Sequence, residues 1–287
     1  MIGQQKLVAQ IEDLAEKNSI PRFSIVIGER GSEQEDVGRI IAQKIECPYI
    51  LLHDTKVDTI RDMIKEAYSQ HDYMVYIIPH ADDMSINAKN ALLKVTEESP
   101  NKAYIVMCLE DLSNTLATIQ SRGIVFYMDR CKTEDIKEFA RELYVNKSDI
   151  DEKIIDMYGE LCSTPGDVLY FNKHNIVNFY NYAEWVVDNI FTLNGAEAFK
   201  ISDKLALKDE EDKYDCLLFL KAIQNVFMKR CLYNGFKENG ICGTYCACEE
   251  IRCIGHYLQD LRIKGVNRAM LIDNLILEMR KIWKSQK

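Results

Sequence analysis

Short, continuous apolar runs alternate with amphipathic stretches through the first 130 residues. Residues 23–27, 49–52, 75–78, 104–107 and 124–127 are such runs, and their lengths and β-branched and aromatic content predict strands. None alternates polar with apolar, which is the pattern of strands buried on both faces in a parallel sheet covered by helices. Helical periodicity fills three of the gaps, over residues 34–44, 57–70 and 85–97. In the last of these, Ala88, Ala91, Leu92 and Val95 form one apolar stripe, and the Ser99-Pro100 step helps end it. The expectation is an α/β domain with a parallel sheet flanked by helices.

From Lys132 the strand signal disappears. One helix is expected from Thr133, with Glu134 and Asp135 in its first turn, to about Tyr144, and another over residues 149–161. Ser163-Thr164-Pro165-Gly166 then breaks the chain. Beyond residue 172 the pattern is of long helices, clearest at the end, where Ile272, Leu275, Ile276, Met279, Ile282 and Trp283 keep helical spacing. Asn194-Gly195, Asn234-Gly235, Asn239-Gly240 and Lys264-Gly265 mark connections. Three parts follow: an α/β domain over 1–130, a helical lid over 131–172 and an all-α bundle over 173–287.

Composition narrows the function classes. With 287 residues the chain can hold two or three cores, and no run approaches the ~18 apolar residues of a membrane span. The opening Met1-Ile2-Gly3-Gln4-Gln5 reads as neither a signal nor a transit peptide, and ten cysteines without export signals read as reduced thiols. A cytoplasmic setting with no membrane association is expected. A net charge of −9 argues against a free-standing nucleic-acid binder, although a local basic face is compatible with it.

Candidate chemistry starts after the first strand. Gly28-Glu29-Arg30-Gly31-Ser32-Glu33-Gln34-Glu35 stands between an apolar run and a helix, where a phosphate loop of pattern GxxxxGK[ST] would stand. Gly28 matches the first glycine, but Glu33, Gln34 and Glu35 occupy the positions of the second glycine, the lysine and the hydroxyl. Asp36 adds charge of the same sign, which suits a helix N-terminus and repels a triphosphate. An ordinary loop with acidic helix capping is therefore favoured over a nucleotide site.

Near the C-terminus Cys242, Cys246, Cys248 and Cys253 cluster with His256, and only Cys242/Cys246 loosely fits a zinc-ligand spacing. Burial of small apolar side chains is favoured over metal. Tyr73, Tyr76, Phe126 and Tyr127 lie in or beside strands and are read as core, with no basic interleaving of a stacking platform. The basic end of the last helix, Arg280, Lys281, Lys284 and Lys287, fits dipole compensation or a solvated face.

Two segments make the pattern recognisable: residues 75–84, reading VYIIPHADDM, with 87–100, reading NAKNALLKVTEESP, and Leu116-Ala117-Thr118-Ile119-Gln120-Ser121-Arg122-Gly123. In this order, with Ile2-Gly3-Gln4 at the start, they resemble the AAA+ clamp-loader family, and within it the delta-prime subunits of bacterial DNA polymerase III. The likeness covers the first 130 residues well and the lid moderately, whereas the bundle matches in length and helical character.

The resemblance implies an AAA+ fold and a place in a five-subunit loader beside ATPase motor subunits and delta. A ring-shaped sliding clamp is the cargo, met indirectly, and primer–template DNA threads the assembly. It also implies departures. The acidic pair of active relatives is replaced by Pro79 and His80, a general base or, without a nucleotide beside it, a structural residue. Asp167 stands near the place of the lid arginine, and the four-cysteine zinc module is missing where only Cys47 remains. The expected chain thus hydrolyses no ATP and carries no nucleotide or zinc.

Arg122, with Ser121 before it, keeps a role by this resemblance: an arginine finger acting in trans on the ATP of a neighbouring subunit. The bland reading is a surface ion pair, and Gly123 replaces the cysteine of the family's Ser-Arg-Cys. Two rivals stand beside this reading, a divergent AAA+ ATPase active on its own and an AAA+-shaped adaptor of another assembly.

Overall fold

The computed structural model describes residues 1–143, 151–190, 192, 194, 200–201, 210–233, 244–261 and 266–284. Their elements run α1 (Gln5–Glu16), β1 (Phe23–Ile27), α2 (Glu35–Ile45), β2 (Tyr49–Leu51), α3 (Val57–Ser69), β3 (Met74–Ile78), α4 (Ile86–Glu97), β4 (Ala103–Leu109), α5 (Ala117–Gln120) and β5 (Ile124–Tyr127). Helices follow: α6 (Thr133–Leu143), α7 (Glu152–Leu161), α8 (Pro165–Lys173), α9 (Ile176–Asn189), α10 (Glu210–Tyr233), α11 (Thr244–Asp260) and α12 (Arg268–Lys284). Short 3₁₀ turns at Ala81–Asp83 and Leu112–Asn114 follow β3 and β4. The chain divides into two compact units, Met1–Asn146 with Cys162–Leu169, and Lys147–Leu161 with Tyr170–Lys287.

In the first unit the five strands form one parallel sheet of order β2-β3-β4-β1-β5. Period-two alternation sends side chains to opposite faces. Ile25, Tyr76, Ile78, Ile105 and Met107 pack under Ile60 and Met63 of α3, Leu92 and Val95 of α4 and Ile119 of α5. Val26, Val75, Ile77, Val106 and Cys108 pack under Leu7 and Ile11 of α1 and Val37 and Ile41 of α2. This is the three-layer arrangement that continuous apolar strands dictate. Gly38 of α2 sits so close to β3 that a Cβ there would stand 2.5 Å from Ile77 Cγ1.

The inner strands β3, β4 and β1 are buried on both faces, but β2 and β5 are not. They form the sheet edges, which leaves Tyr49, Leu51, Ile124 and Tyr127 exposed. Tyr76 and Phe126 are core, as expected, whereas Tyr73 and Tyr127 are exposed. Tyr73 instead carries Lys102 Nζ 4.0 Å from its ring centre, with Arg22 lying 4.1 Å over Tyr104, so basic and aromatic groups do interleave here. The sequence separation of these residues concealed that.

The second unit is helical. Asn175 caps α9 by accepting from Val177 N and Asn178 N at 3.0 and 3.1 Å. An edge-to-face aromatic series, Tyr158–Phe171–Phe179–Phe219, ties α7, α8, α9 and α10 together. Ile272, Leu275, Ile276 and Met279 of α12 are buried at the expected spacing. Gln224 Nε2 donates to Ile251 O at 3.1 Å, and Tyr257 hydroxyl donates to Glu278 at 2.8 Å, joining α10, α11 and α12. Of the expected connections, Asn194 is described and exposed, whereas Gly195 and the Asn234-Gly235, Asn239-Gly240 and Lys264-Gly265 pairs lie outside the described residues.

Candidate functional site

The carboxyl ends of parallel strands are where an open α/β sheet places ligands, at the point where strand order reverses. Here β1 lies between β4 and β5, so the loop from Gly28 to Gln34 and the ends of β3 and β4 share one rim. All of these belong to the first unit.

Two residues of this loop have a left-handed backbone. Gly31 has φ +83°, and Glu33, at the second-glycine position, has φ +60°. That left-handed conformation favours glycine and costs another residue of order 1 kcal/mol. Burial and the neighbouring Asp36 push the Glu33 carboxyl above its ordinary range. Gln34, at the lysine position, turns inward: its amide donates to Gly28 O at 2.8 Å and to Leu109 O at 3.3 Å, bridging the ends of β1 and β4. It is buried, as is Ser32, whose hydroxyl lies against Met128 Sδ. Gly28 is packed as tightly, since a Cβ on it would stand 2.5 Å from Ser32 Oγ. Glu35 and Asp36 occupy the first turn of α2, as expected, but no side chain caps that helix through Gln34.

The turn entering α8 closes over this loop. Gly166 N donates to Gly31 O at 2.8 Å, and a Cβ on Gly166 would stand 2.6 Å from Gly31 Cα. Glu29 pairs with Arg130, and its other carboxylate oxygen lies 3.3 Å from Ser163 Oγ. Asp167, almost fully buried, accepts from Ser163 N at 2.8 Å and Thr164 N at 3.1 Å, while its own N donates to Thr164 Oγ1 at 3.2 Å. This is a reciprocal cap of α8. Asp167 thus serves its own helix rather than projecting charge toward the loop.

Pro79 and His80 follow β3 as expected, and His80 takes a left-handed backbone (φ +46°) with its side chain exposed. Two positions on stands Asp82, whose contacts the sequence did not disclose. Its Oδ2 accepts from Glu110 N at 2.8 Å, and its Oδ1 accepts from Asn114 Nδ2 at 2.8 Å. The acidic pair Asp82-Asp83 was the available signal, but its partners are distant in sequence.

Arg122 lies just beyond α5, folded back on the protein. Its Nη1 donates to Thr118 O at 2.7 Å and its Nη2 pairs with Glu97 of α4 at 2.9 Å, leaving the side chain one-third exposed. Ser121 is exposed, its hydroxyl donating to Thr118 O at 3.1 Å. Gly123 lies close against β1: a Cβ there would stand 2.7 Å from Ile25 Cδ1. Cys248 is exposed and Cys253 buried, with burial and then Glu278 pushing the Cys253 thiol up to about 12. Cys242 and the side chain of Cys246 lie outside the described residues. No group of three metal-ligating side chains occurs among the described residues, and no helix among them is long and apolar enough to cross a membrane.

A sequence profile of the family described as DNA polymerase III, delta subunit, matches residues 51–132. DNA polymerase III subunit gamma of Buchnera aphidicola (subsp. Schizaphis graminum) is 24% identical over 256 residues, covering 76% of this chain and 69% of that protein. DNA polymerase III subunit delta' of Yersinia pestis is 36% identical over 75 residues, covering 25% of this chain and 22% of that protein. Among solved structures, the Thermotoga maritima RuvB Holliday junction branch migration motor superposes with TM-score 0.51 at 16% identity. That match covers 82% of this chain and 78% of that one, and it supports the fold. In its sheet order, its motif order and these matches together, the chain resembles the clamp-loader-type AAA+ subunits of DNA polymerase III.

Proposed function

We propose that this chain is a delta-prime-like subunit that hydrolyses no ATP itself, supplying Arg122 to a neighbouring ATPase subunit as the loader places a sliding clamp on primed DNA. The observation that carries this reading is the filled loop: Gln34 bonds to both strand ends where a lysine would meet phosphate. Ser32 and Gly166 close the space beside it, and the nearby carboxylates of Glu33 and Glu35 repel an anion. Pro79 and His80 offer no carboxylate to hold magnesium.

Arg122 must leave Glu97 to reach a neighbour's phosphate. An exposed pair of that kind is worth at most about 1 kcal/mol. A finger is worth roughly 10³–10⁵ in rate, which is about 4–7 kcal/mol of transition-state stabilisation, so breaking the pair costs far less than the finger contributes. Ser121 ends α5 and orients the turn that carries the arginine. In a loader rebuilt from the same organism's subunits, Arg122→Ala should lower the ATPase kcat of the motor subunits by roughly 10²-fold or more. Unchanged turnover would remove the finger assignment.

The second reading, a chain with its own ATPase, draws on the long match to subunits named gamma. It requires a cation within the loop. Arg30 is the nearby candidate, and saturable magnesium-dependent binding of ATP by the isolated chain would establish it.

A further inference from the structure

The geometry points to Asp82 as a positioning residue for Arg122, an inference that rests on the proposed trans-acting role of that arginine. Asp82 sits in the 3₁₀ turn that follows β3. Its carboxylate faces no metal-binding cluster among the described residues and instead gathers the loop that leaves β4. Oδ2 accepts from Glu110 N at 2.8 Å at the start of that loop, and Oδ1 accepts from Asn114 Nδ2 at 2.8 Å at its end, with Asp111 N at 3.4 Å between them. One side chain therefore holds both ends of residues 110–114, using three of the roughly four acceptor sites a carboxylate offers.

The same loop is gripped from two further sides. Lys89 of α4, buried, donates its ammonium to Asn114 O and, at 3.4 Å, to Asp82 O. Gln120 of α5 donates to Leu112 O at 2.8 Å and Thr115 O at 3.0 Å, and Arg122 follows two residues later. Asp111 Oδ1 accepts from Ser113 N at 2.8 Å and closes the turn internally. A continuous set of hydrogen bonds thus runs from Asp82 through the 110–115 loop to the helix whose end carries Arg122. Removing the carboxylate frees both ends of the loop at once, and α5 loses the platform that Gln120 grips. The guanidinium then samples positions around the neighbour's phosphate instead of one.

The test uses the rebuilt loader with Asp82→Ala and, as a milder variant that cuts the same bond from its other end, Asn114→Ala. The expected result is a fall in motor-subunit kcat of about 10- to 100-fold for Asp82→Ala, with KM for ATP unchanged within about twofold. Asn114→Ala should fall in the same direction. Added to Arg122→Ala, neither variant should lower kcat further, because both act through that arginine. In the full-length chain alone, amide exchange over residues 110–122 should quicken in both variants while the inner strands keep their protection.

If Arg122→Ala lowers kcat but Asp82→Ala and Asn114→Ala do not, the Asp82 assignment is overturned and the finger stands. A loss that adds to that of Arg122→Ala, or a loss in KM alone, also overturns it. If Arg122→Ala itself is silent, the finger reading fails first, which separates the two failures. Should Asp82→Ala not fold, Asn114→Ala decides the outcome by the same criteria.

Discussion

Replacing Gly166 by alanine tests the closure of the α8 turn over the β1–α2 loop. The added methyl would meet Gly31 Cα at 2.6 Å and Gly31 O at 3.0 Å, both backbone atoms that cannot swing away as a flexible side chain could. Overpacking of this kind costs about 1–3 kcal/mol. If the turn shifts to make room, the 2.8 Å bond from Gly166 N to Gly31 O is lost, at about 0.5–1.5 kcal/mol net. Working against this, alanine is favoured over glycine within a helix by up to about 1 kcal/mol. The first two effects win, so a net destabilisation of about 1–3 kcal/mol is expected. Urea titration of the full chain, followed by far-UV circular dichroism with m held to the wild-type value, reads it directly. A midpoint shift equivalent to less than about 0.5 kcal/mol would mean that the two glycines do not meet as described.

Gln34→Ala should cost about 1–3 kcal/mol in the same titration, because Gly28 O loses the donor that the buried amide supplies. A neutral result would show that the amide does not bridge β1 and β4. Glu250 of α11 is fully buried with both carboxylate oxygens unpartnered, and burial, then the charge of Glu278, push its carboxyl up to about 8. Between pH 4.5 and about 8 the unfolded chain has released this proton and the folded chain has kept it, so stability should fall as pH rises, by about 3–5 kcal/mol in all. Glu250→Gln should be neutral to mildly destabilising at pH 5, stabilising at pH 9, and flatter between them. Parallel stability curves for the two proteins across that range would contradict the assignment.

The architecture was legible because hydrophobic pattern reports burial. Five apolar runs gave five strands, and the first and second unit differ in period as the chain does. Position within the sheet was not legible: the runs at Tyr49 and Ile124 look as apolar as those at Val75 and Tyr104, and only pairing order makes β2 and β5 edges. At the candidate site the sequence disclosed which residues make up the loop between β1 and α2. It did not disclose that Gln34 turns inward onto Leu109 O or that Glu33 keeps a glycine-like backbone, since both depend on contacts made by the folded chain. Asp167 illustrates the same gap: its charge was visible, but its use as a cap of α8 depends on the turn geometry. Asp82 was passed over for a similar reason, its partners lying 28 and 32 residues away in sequence.

The central claim is that the space of a phosphate loop is occupied here by the protein's own groups, so that its useful guanidinium serves an ATP bound elsewhere. Calorimetric titration of the isolated chain with ATP and magnesium puts this to the most direct test. The account predicts no saturable heat up to millimolar nucleotide, with Gln34→Lys alone leaving that result unchanged because Glu33, Glu35 and the Gly31–Gly166 closure remain. Micromolar, magnesium-dependent binding accompanied by turnover in the wild-type chain would contradict it.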